Sequence, residues 1–275
     1  MMYNINGELS DNHNSCLNNR AFLYGDAVFE TCKISNGKVL FLEDHYFRLM
    51  ASMRVLRMKI PANFTLEYFE AQLLNLARAL HYTNARMRCT VFRNDGGKYL
   101  PHNRTVSYII EVEPLDSPKY VILESNYEVD IYKDFYVTSQ LLSNLKTTNR
   151  VLNVTGSIFA EENDLQNCIL LNQNKNVVEF LNGNLFLLIN HTLVTPPLSE
   201  GCINGIMRKQ VLNFISNDIH YKLEERTVSP FELQNADELF LTNVMCGIQP
   251  VTKYKKKIYT TAFAQDFLAK INQSI

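Results

Sequence analysis

Residues 195–209, TPPLSEGCINGIMRK, constrain this chain more than any other stretch. The adjacent Pro196 and Pro197 remove two backbone donors and exclude a helix through them. Gly201 and Gly205 follow, spaced around Asn204, and from Ile206 to Ile215 an apolar and basic run recurs at helical spacing. A glycine turn that opens a helix presents unpaired N–H groups and the positive end of the helix dipole. Such an end is a ready anion site, and phosphate is the usual anion. A short glycine motif is weak by itself, and an ordinary loop before a helix reads the same way.

The rest of the chain bears on that choice. With 275 residues it suits one large or two modest domains with a real core. A net charge of −1 gives no global field toward nucleic acid or an anionic membrane. No apolar run approaches the ~20 residues of a membrane span, and the polar start MMYNINGELS lacks a signal-peptide core. Cys16, Cys32, Cys89, Cys168, Cys202 and Cys246 form no CxxC pair, and most have apolar neighbours. They read as buried, reduced thiols of a cytoplasmic protein, and no metal site is expected.

Taken in order, the start alternates like a strand ending near Asn6-Gly7, and residues 11–19 are polar and irregular. In residues 21–34 apolar alternation resumes after Gly25-Asp26, with Ser35-Asn36-Gly37 as a hairpin-type turn into residues 38–41. Residues 42–58 change to helical period; Asp44 can begin that helix, with Phe47, Met50, Ala51 and Val55 on one face. Residues 65–81 form the clearest helix, followed by strands at 86–92 and 105–112. The run Glu113-Pro114-Leu115-Asp116-Ser117-Pro118 is the best linker. It divides the chain into a smaller α/β unit, residues 1–115, and a larger unit, residues 116–275. In the larger unit strands are expected at 120–124, 168–171, 185–189, 221–228 and 238–242. Helices are expected at 149–162, after Gly205, briefly at 229–235 and from Thr260. Hairpin connections predominate, so a doubly wound parallel sheet is not implied.

Three side chains give the anion cup company. Lys146 lies between a strand-like run and a helix, where apolar neighbours would lower its pKa as a Schiff-base lysine requires; a lone lysine is otherwise a solvated surface residue. Glu179 interrupts the apolar run VVEFL. Buried, it needs a cation or a proton, and a protonated pyridine nitrogen would serve; the same pattern fits a solvent-facing strand position. Arg48, early in an amphipathic helix, can neutralise a phosphate dianion or pair with Glu43 or Asp44. Lysine, carboxylate and phosphate cup with arginine are the parts of a pyridoxal phosphate site.

These residues fall within six segments, FLYGDAVFET, LEDHYFRLMASMRVL, LKTTNR, VVEFLNGNLFLL, TPPLSEGCINGIMR and DELFLTNVMCGIQPV. In that order they resemble the class IV aminotransferases, the fold-type IV pyridoxal phosphate enzymes that include branched-chain and D-amino-acid aminotransferases and aminodeoxychorismate lyase. The resemblance implies an α+β or α/β two-domain fold, with a small α/β domain, a larger β-rich domain, and pyridoxal 5′-phosphate between them. Carried over by position, Lys146 resembles the Schiff-base lysine and proton shuttle, Glu179 the ring-nitrogen partner, and Arg48 the phosphate arginine of HxxRL. The N–H groups of Ile206 and Met207 resemble the phosphate-binding pair, and Asn243 and Val244 fall on the loop closing that side. Tyr24, Arg93 and Tyr99 are the substrate-side candidates.

The chain also departs from the family pattern. Phe180 and Leu181 replace small residues and are expected to crowd the cofactor or reshape its loop. Met207 and Val244 stand where hydroxyl residues are common, each loss costing phosphate affinity ~1 kcal/mol. Val151 replaces the tyrosine of branched-chain enzymes, while KTTNR and FRNDGGKYLP look more like the lyase. The resemblance therefore implies an enzyme that transfers an amino group between a small amino acid and a 2-oxo acid. The alternatives are a 4-amino-4-deoxychorismate lyase releasing pyruvate and p-aminobenzoate, and a cofactor-binding homologue without turnover. It also implies a homodimer acting on a small molecule, with no nucleic-acid or membrane partner.

Overall fold

The computed structural model describes residues 3–5, 8–10, 18–123 and 125–275. The expected turn at Asn6-Gly7, the thiol of Cys16, most of the irregular segment 11–19, and Glu124 lie outside them. A two-stranded ribbon pairs β1 (Tyr3–Ile5) with β2 (Glu8–Ser10).

After it comes α1 (Arg20–Tyr24), just before the resumed alternation. Asn19 caps it by accepting from the N–H groups of Ala21 and Phe22, and Gly25 ends it at φ +62°. A side chain at Gly25 would meet Asn149 Oδ1 at 2.2 Å, so glycine is required twice over, by dihedral and by space. Next come β3 (Ala27–Ser35), β4 (Lys38–Val39), α2 (Leu42–Val55), α3 (Leu66–Ala79), β5 (Ala85–Arg93) and β6 (Val106–Pro114). The four strands form one antiparallel sheet in the order β4-β3-β5-β6, with α2 and α3 packed on it.

The buried face of α2 corrects the expected one. Leu42, not Asp44, begins the helix, which buries His45, Leu49, Met50, Ser52 and Met53 and leaves Phe47 and Val55 exposed. Of the four residues expected on the inner face, only Met50 is buried there. Polar partners on β3, invisible to local periodicity, turn the helix. In α3 the hydroxyl of Thr65 caps the helix and Leu73 and Leu74 are buried as the spacing requires.

Beyond residue 115 come β7 (Glu128–Ile131), α4 (Val151–Glu162), β8 (Asn167–Leu171), β9 (Val177–Phe180), β10 (Asn184–Ile189) and β11 (Thr192–Thr195). They are followed by α5 (Ile206–Ser216), β12 (Lys222–Glu225), β13 (Glu238–Asn243), β14 (Gly247–Val251), β15 (Lys253–Tyr254), β16 (Lys257–Ile258) and α6 (Ala262–Gln273). Two five-stranded sheets result, β12-β11-β10-β13-β14 and β16-β15-β7-β8-β9. Residues from both, including Leu185, Leu187, Leu241, Val129, Ile169 and Phe180, form one large apolar core between them. The strand expected at 120–124 is not formed over residues 120–123. The one expected at 221–228 is confined to β12, and the helix at 229–235 shrinks to a 3₁₀ turn at Glu232–Gln234. Among the described residues, no helix is long and apolar enough to cross a membrane. Cys32, Cys89, Cys168, Cys202 and Cys246 are all buried and free, as their apolar neighbours predict.

Candidate active site

Short β4 pairs only with the end of β3 and leaves the beginning of that strand without a partner on one side. Residues 146–148 take the vacancy. Phe29 N–H donates to the Lys146 carbonyl at 2.8 Å, Thr148 N–H to Ala27 at 3.1 Å, and Thr147 bridges to Val28. The backbone of Lys146 is thereby fixed, and its Nζ stands 4.5 Å from the centre of the Phe29 ring. The amine makes no hydrogen bond or ion pair among the described residues. Burial, then the charge of Arg48, pulls its pKa from 10.5 down to about 7, against a smaller opposing effect of Glu30.

Arg48 is held by a partner the sequence reading missed. Its Nε and Nη2 donate to the two Glu30 oxygens at 2.7 and 2.6 Å, and its Nη1 donates to the Asn204 carbonyl at 2.9 Å. His45 Nδ1 lies 2.7 Å from the same carboxylate. Burial alone would raise the pKa of Glu30, but the Arg48 charge and the hydrogen bonds of Arg48 and His45 outweigh it and hold it at about 2. The acids Glu43 and Asp44, considered as partners of Arg48, do not pair with it; Asp44 instead meets Lys209 and Gln210 on α5. A signal was present in the sequence: Glu30 is a charge inside the apolar strand AVFETCKI.

Glu179, on β9, is buried and not solvent-facing. Its Oε2 accepts from Ile203 N–H at 3.0 Å and from Asn184 Nδ2 at 3.4 Å, with no cation in salt-bridge contact. Burial raises its pKa from 4.5 to about 7, and the Ile203 hydrogen bond and the charge of Arg150 only partly oppose this. The loop from Leu198 to Gly205 is bonded on its other side too, because Asn144 Nδ2 donates to the Leu198 and Cys202 carbonyls at 2.9 and 2.7 Å. One loop therefore registers Glu179, the chain leading to Lys146, and the start of α5. Gly205 caps α5 without a side-chain hydrogen bond, so the first N–H groups of the helix keep their donors.

A cavity of about 240 Å³ collects these groups, and Arg48, Lys146, Glu179, Ile206, Met207, Asn243 and Val244 all line it. Phe180 and Leu181 line it as well. Phe180 is fully buried among the inter-sheet core residues, and Leu181 packs beside Gly156 of α4. Tyr24, Arg93 and Tyr99 line a second cavity of about 590 Å³. Arg150, Asn153 and Glu179 line both.

Within the larger cavity the arginines differ. Arg93 Nε and Nη2 grip Asp26 at 2.9 and 3.2 Å, while its remaining contacts go to the Leu56 and Arg57 carbonyls. Arg20, a residue the sequence reading did not single out, shares Asp26 and donates to the carbonyls of Gly96, Gly97 and Lys98. Every guanidinium nitrogen of Arg93 is thus committed to the cavity wall. Arg150, also unassigned from sequence, donates from Nε to Thr147 and from Nη2 to Leu145. Its Nη1 has no hydrogen-bond partner among the described residues.

The profile of the amino-transferase class IV family matches residues 27–254. The chain is 27% identical to the D-alanine aminotransferase of Bacillus licheniformis, over 90% of this chain and 86% of that one. Among solved structures it resembles the branched-chain aminotransferase of Thermoproteus uzoniensis, with a TM-score of 0.84 at 23% identity over 97% and 91% of the two chains. It also resembles the 4-amino-4-deoxychorismate lyase of Pseudomonas aeruginosa, with a TM-score of 0.78 at 27% identity over 92% and 94%.

Proposed function

This chain belongs to the class IV aminotransferase family and is an enzyme of that class. We propose on that premise that it uses pyridoxal 5′-phosphate to move an amino group between a small amino acid and a 2-oxo acid. The observation that carries the reading is a buried, unpaired amine and a buried carboxyl with no cation, both near pKa 7, lining one cavity with the open end of a helix. The donor set fits the cofactor: Ile206 and Met207 N–H with Arg48 for its phosphate, Lys146 for its aldehyde, and Glu179 for its ring nitrogen. When bound, the cofactor supplies an electron-accepting ring to a substrate amine.

The protein's part is then to position and to move protons. Glu179, short of a cation, would hold a positive ring nitrogen, whose charge would offset the cost of its desolvation. Lys146, as a free neutral amine, would be a base of suitable strength at neutral pH to take a proton from a bound substrate and give it back. Arg48, braced by Glu30, presents its remaining N–H groups to phosphate without having to order itself on binding.

Arg150 is the best candidate for the substrate carboxylate, because Arg93 is consumed by Asp26 and the Leu56 and Arg57 carbonyls, Arg20 lines only the larger cavity, and Arg150 keeps Nη1 free where the two cavities meet. Arg150→Ala is expected to raise KM for an amino acid substrate about tenfold or more, as loss of a charge-assisted hydrogen bond does. Steady-state kinetics with the Lys variant beside it would check this. An unchanged KM in the Ala variant would remove Arg150 from substrate binding.

The lyase is the second reading, favoured by Arg150 in KTTNR and by Tyr99 at the mouth of the larger cavity. The two readings separate in one experiment, absorption spectra of the protein with pyridoxal 5′-phosphate before and after a panel of L- and D-amino acids. Conversion of the lysine-bound absorption band to the amine form by one donor is the expected result. A band that no donor changes, together with pyruvate release from aminodeoxychorismate, would replace transamination by the lyase. A band that neither changes would favour the homologue without turnover.

The division into units 1–115 and 116–275 belongs to the same proposal, supported by sheets that draw their strands from one side of residue 115 or the other. So does a homodimer, for which the exposed Phe22, Tyr99 and Leu100 around the larger cavity supply apolar surface. The buried free thiols support a cytoplasmic setting.

A further inference from the structure

Thr242 is 1% exposed and its Oγ1 has no hydrogen-bond partner among the described residues. Few buried side-chain atoms are left this way in a folded protein, and each normally answers to a water, an ion or a ligand. Its surroundings narrow the choice. Thr242 lies opposite Asn184 on β10 and Ile248 on β14, and paired residues of antiparallel strands project to the same face. That face carries α5, because Phe186, Phe240 and Ile248 pack with Met207 and Val211. Asn184 sits directly against the residue that caps the helix, its Oδ1 1.9 Å from where a side chain on Gly205 would be. Thr242 also lines the smaller cavity together with Gly205, Ile206 and Met207. An unsatisfied hydroxyl therefore shares a wall with the unsatisfied N–H groups at the start of α5.

The two neighbouring positions where a hydroxyl is absent sharpen the point. Met207 is packed into the apolar core, and Val244 is packed against it. Neither can donate to an anion, so of the hydroxyl, methionine and valine side chains there, only Thr242 can. We propose that Thr242 supplies the side-chain hydroxyl to the phosphate of the ligand in this cavity, from the strand position opposite Asn184. The assignment rests on the reading of the cavity as a pyridoxal phosphate site and adds a residue to it.

The test compares wild type, Thr242→Val and Thr242→Ser for binding of pyridoxal 5′-phosphate and of pyridoxal, which lacks the phosphate. Melting temperatures of the ligand-free proteins are measured alongside. A hydroxyl kept for the phosphate gives Thr242→Val a Kd for the phosphorylated ligand about tenfold higher. The Kd for pyridoxal stays unchanged, and Thr242→Ser restores wild-type binding. The ligand-free Val protein melts no lower than wild type, since an unpartnered buried hydroxyl has been replaced by a methyl of the same shape. Equal loss for both ligands with a lower melting temperature would make the hydroxyl structural and overturn the assignment. So would a Val variant that binds pyridoxal 5′-phosphate as wild type does, although the cofactor reading would stand. A wild type that takes up neither compound would overturn both.

Discussion

A Lys146→Ala protein is expected to lose turnover by about 10⁴-fold or more and to show no absorption band of a lysine-bound cofactor. The residue carries two duties in the proposed reaction, covalent attachment and proton transfer, and proton transfer alone accounts for ~10²–10⁴-fold in general acid–base catalysis. Its surroundings set a pH dependence as well. Burial and Arg48 depress the amine to about 7, so the neutral form dominates above that value and is lost as pH falls through it. The rate at which the wild-type amine captures an aldehyde should therefore fall about tenfold per unit below pH 7, whereas a solvated lysine would already be falling from about 10.5. Stopped-flow absorbance from pH 5 to 9 would measure it. Wild-type turnover in the alanine variant would sink the enzyme reading, and a capture profile still rising about tenfold per unit between pH 8 and 9 would sink the depressed amine.

The site was legible in the sequence to the extent that its parts are local. The glycine turn before Ile206, the carboxylate inside VVEFL and the lysine before a helix each follow from a few adjacent residues, and the structure gathers them into one cavity. What stayed hidden depends on partners far away in sequence. The inner face of α2 was misjudged because Phe47, Ala51 and Val55 satisfy an apolar pattern, whereas His45 and Arg48 are turned inward by Glu30, 15 and 18 residues earlier. Arg93 looked available for substrate until Asp26, 67 positions away, was found to occupy it. Short strands escaped for the same reason. Residues 128–131 have little periodicity of their own and become β7 by pairing with β8 on one side and with residues 253–254 on the other.

Glu30 and Glu179 show how neighbouring carboxyls can be set to opposite ends of their range. Both are buried, yet Glu30 accepts from the Arg48 guanidinium with His45 Nδ1 beside it, whereas Glu179 accepts only from neutral donors. Glu30 is thus kept ionised to brace Arg48, while Glu179 is left wanting a cation that the protein itself does not provide. In the ligand-free protein the two bear on stability with opposite signs. The folded pKa of Glu179 is raised from 4.5 to about 7, so its contribution is full below 4.5 and is lost as pH rises through 7. The folded pKa of Glu30 is lowered from 4.5 to about 2, so its contribution is present above 4.5 and is lost as pH falls toward 2.

Glu30→Ala is accordingly expected to destabilise the protein by about 3–5 kcal/mol at neutral pH, the usual result of breaking a buried ion pair from one side. Among the described residues, the guanidinium of Arg48 would be left with the Asn204 carbonyl as its remaining acceptor, and the His45 ring would lose its hydrogen-bond partner. Urea unfolding of the ligand-free proteins between pH 2.5 and 8 would resolve the effect, provided both unfold in one transition. The gap between wild type and variant should be widest above pH 4.5 and narrow as the solution is acidified, while the loss of stability contributed by Glu179 between pH 4.5 and 7 remains in both. A gap below about 1 kcal/mol at pH 7 would make the pair no stronger than an exposed one. A gap that stays constant down to pH 2.5 would mean that the lost energy is packing and not charge. Either outcome would also release Arg48 from Glu30 as its brace, and phosphate affinity would then have to be explained by the helix end and Thr242 alone.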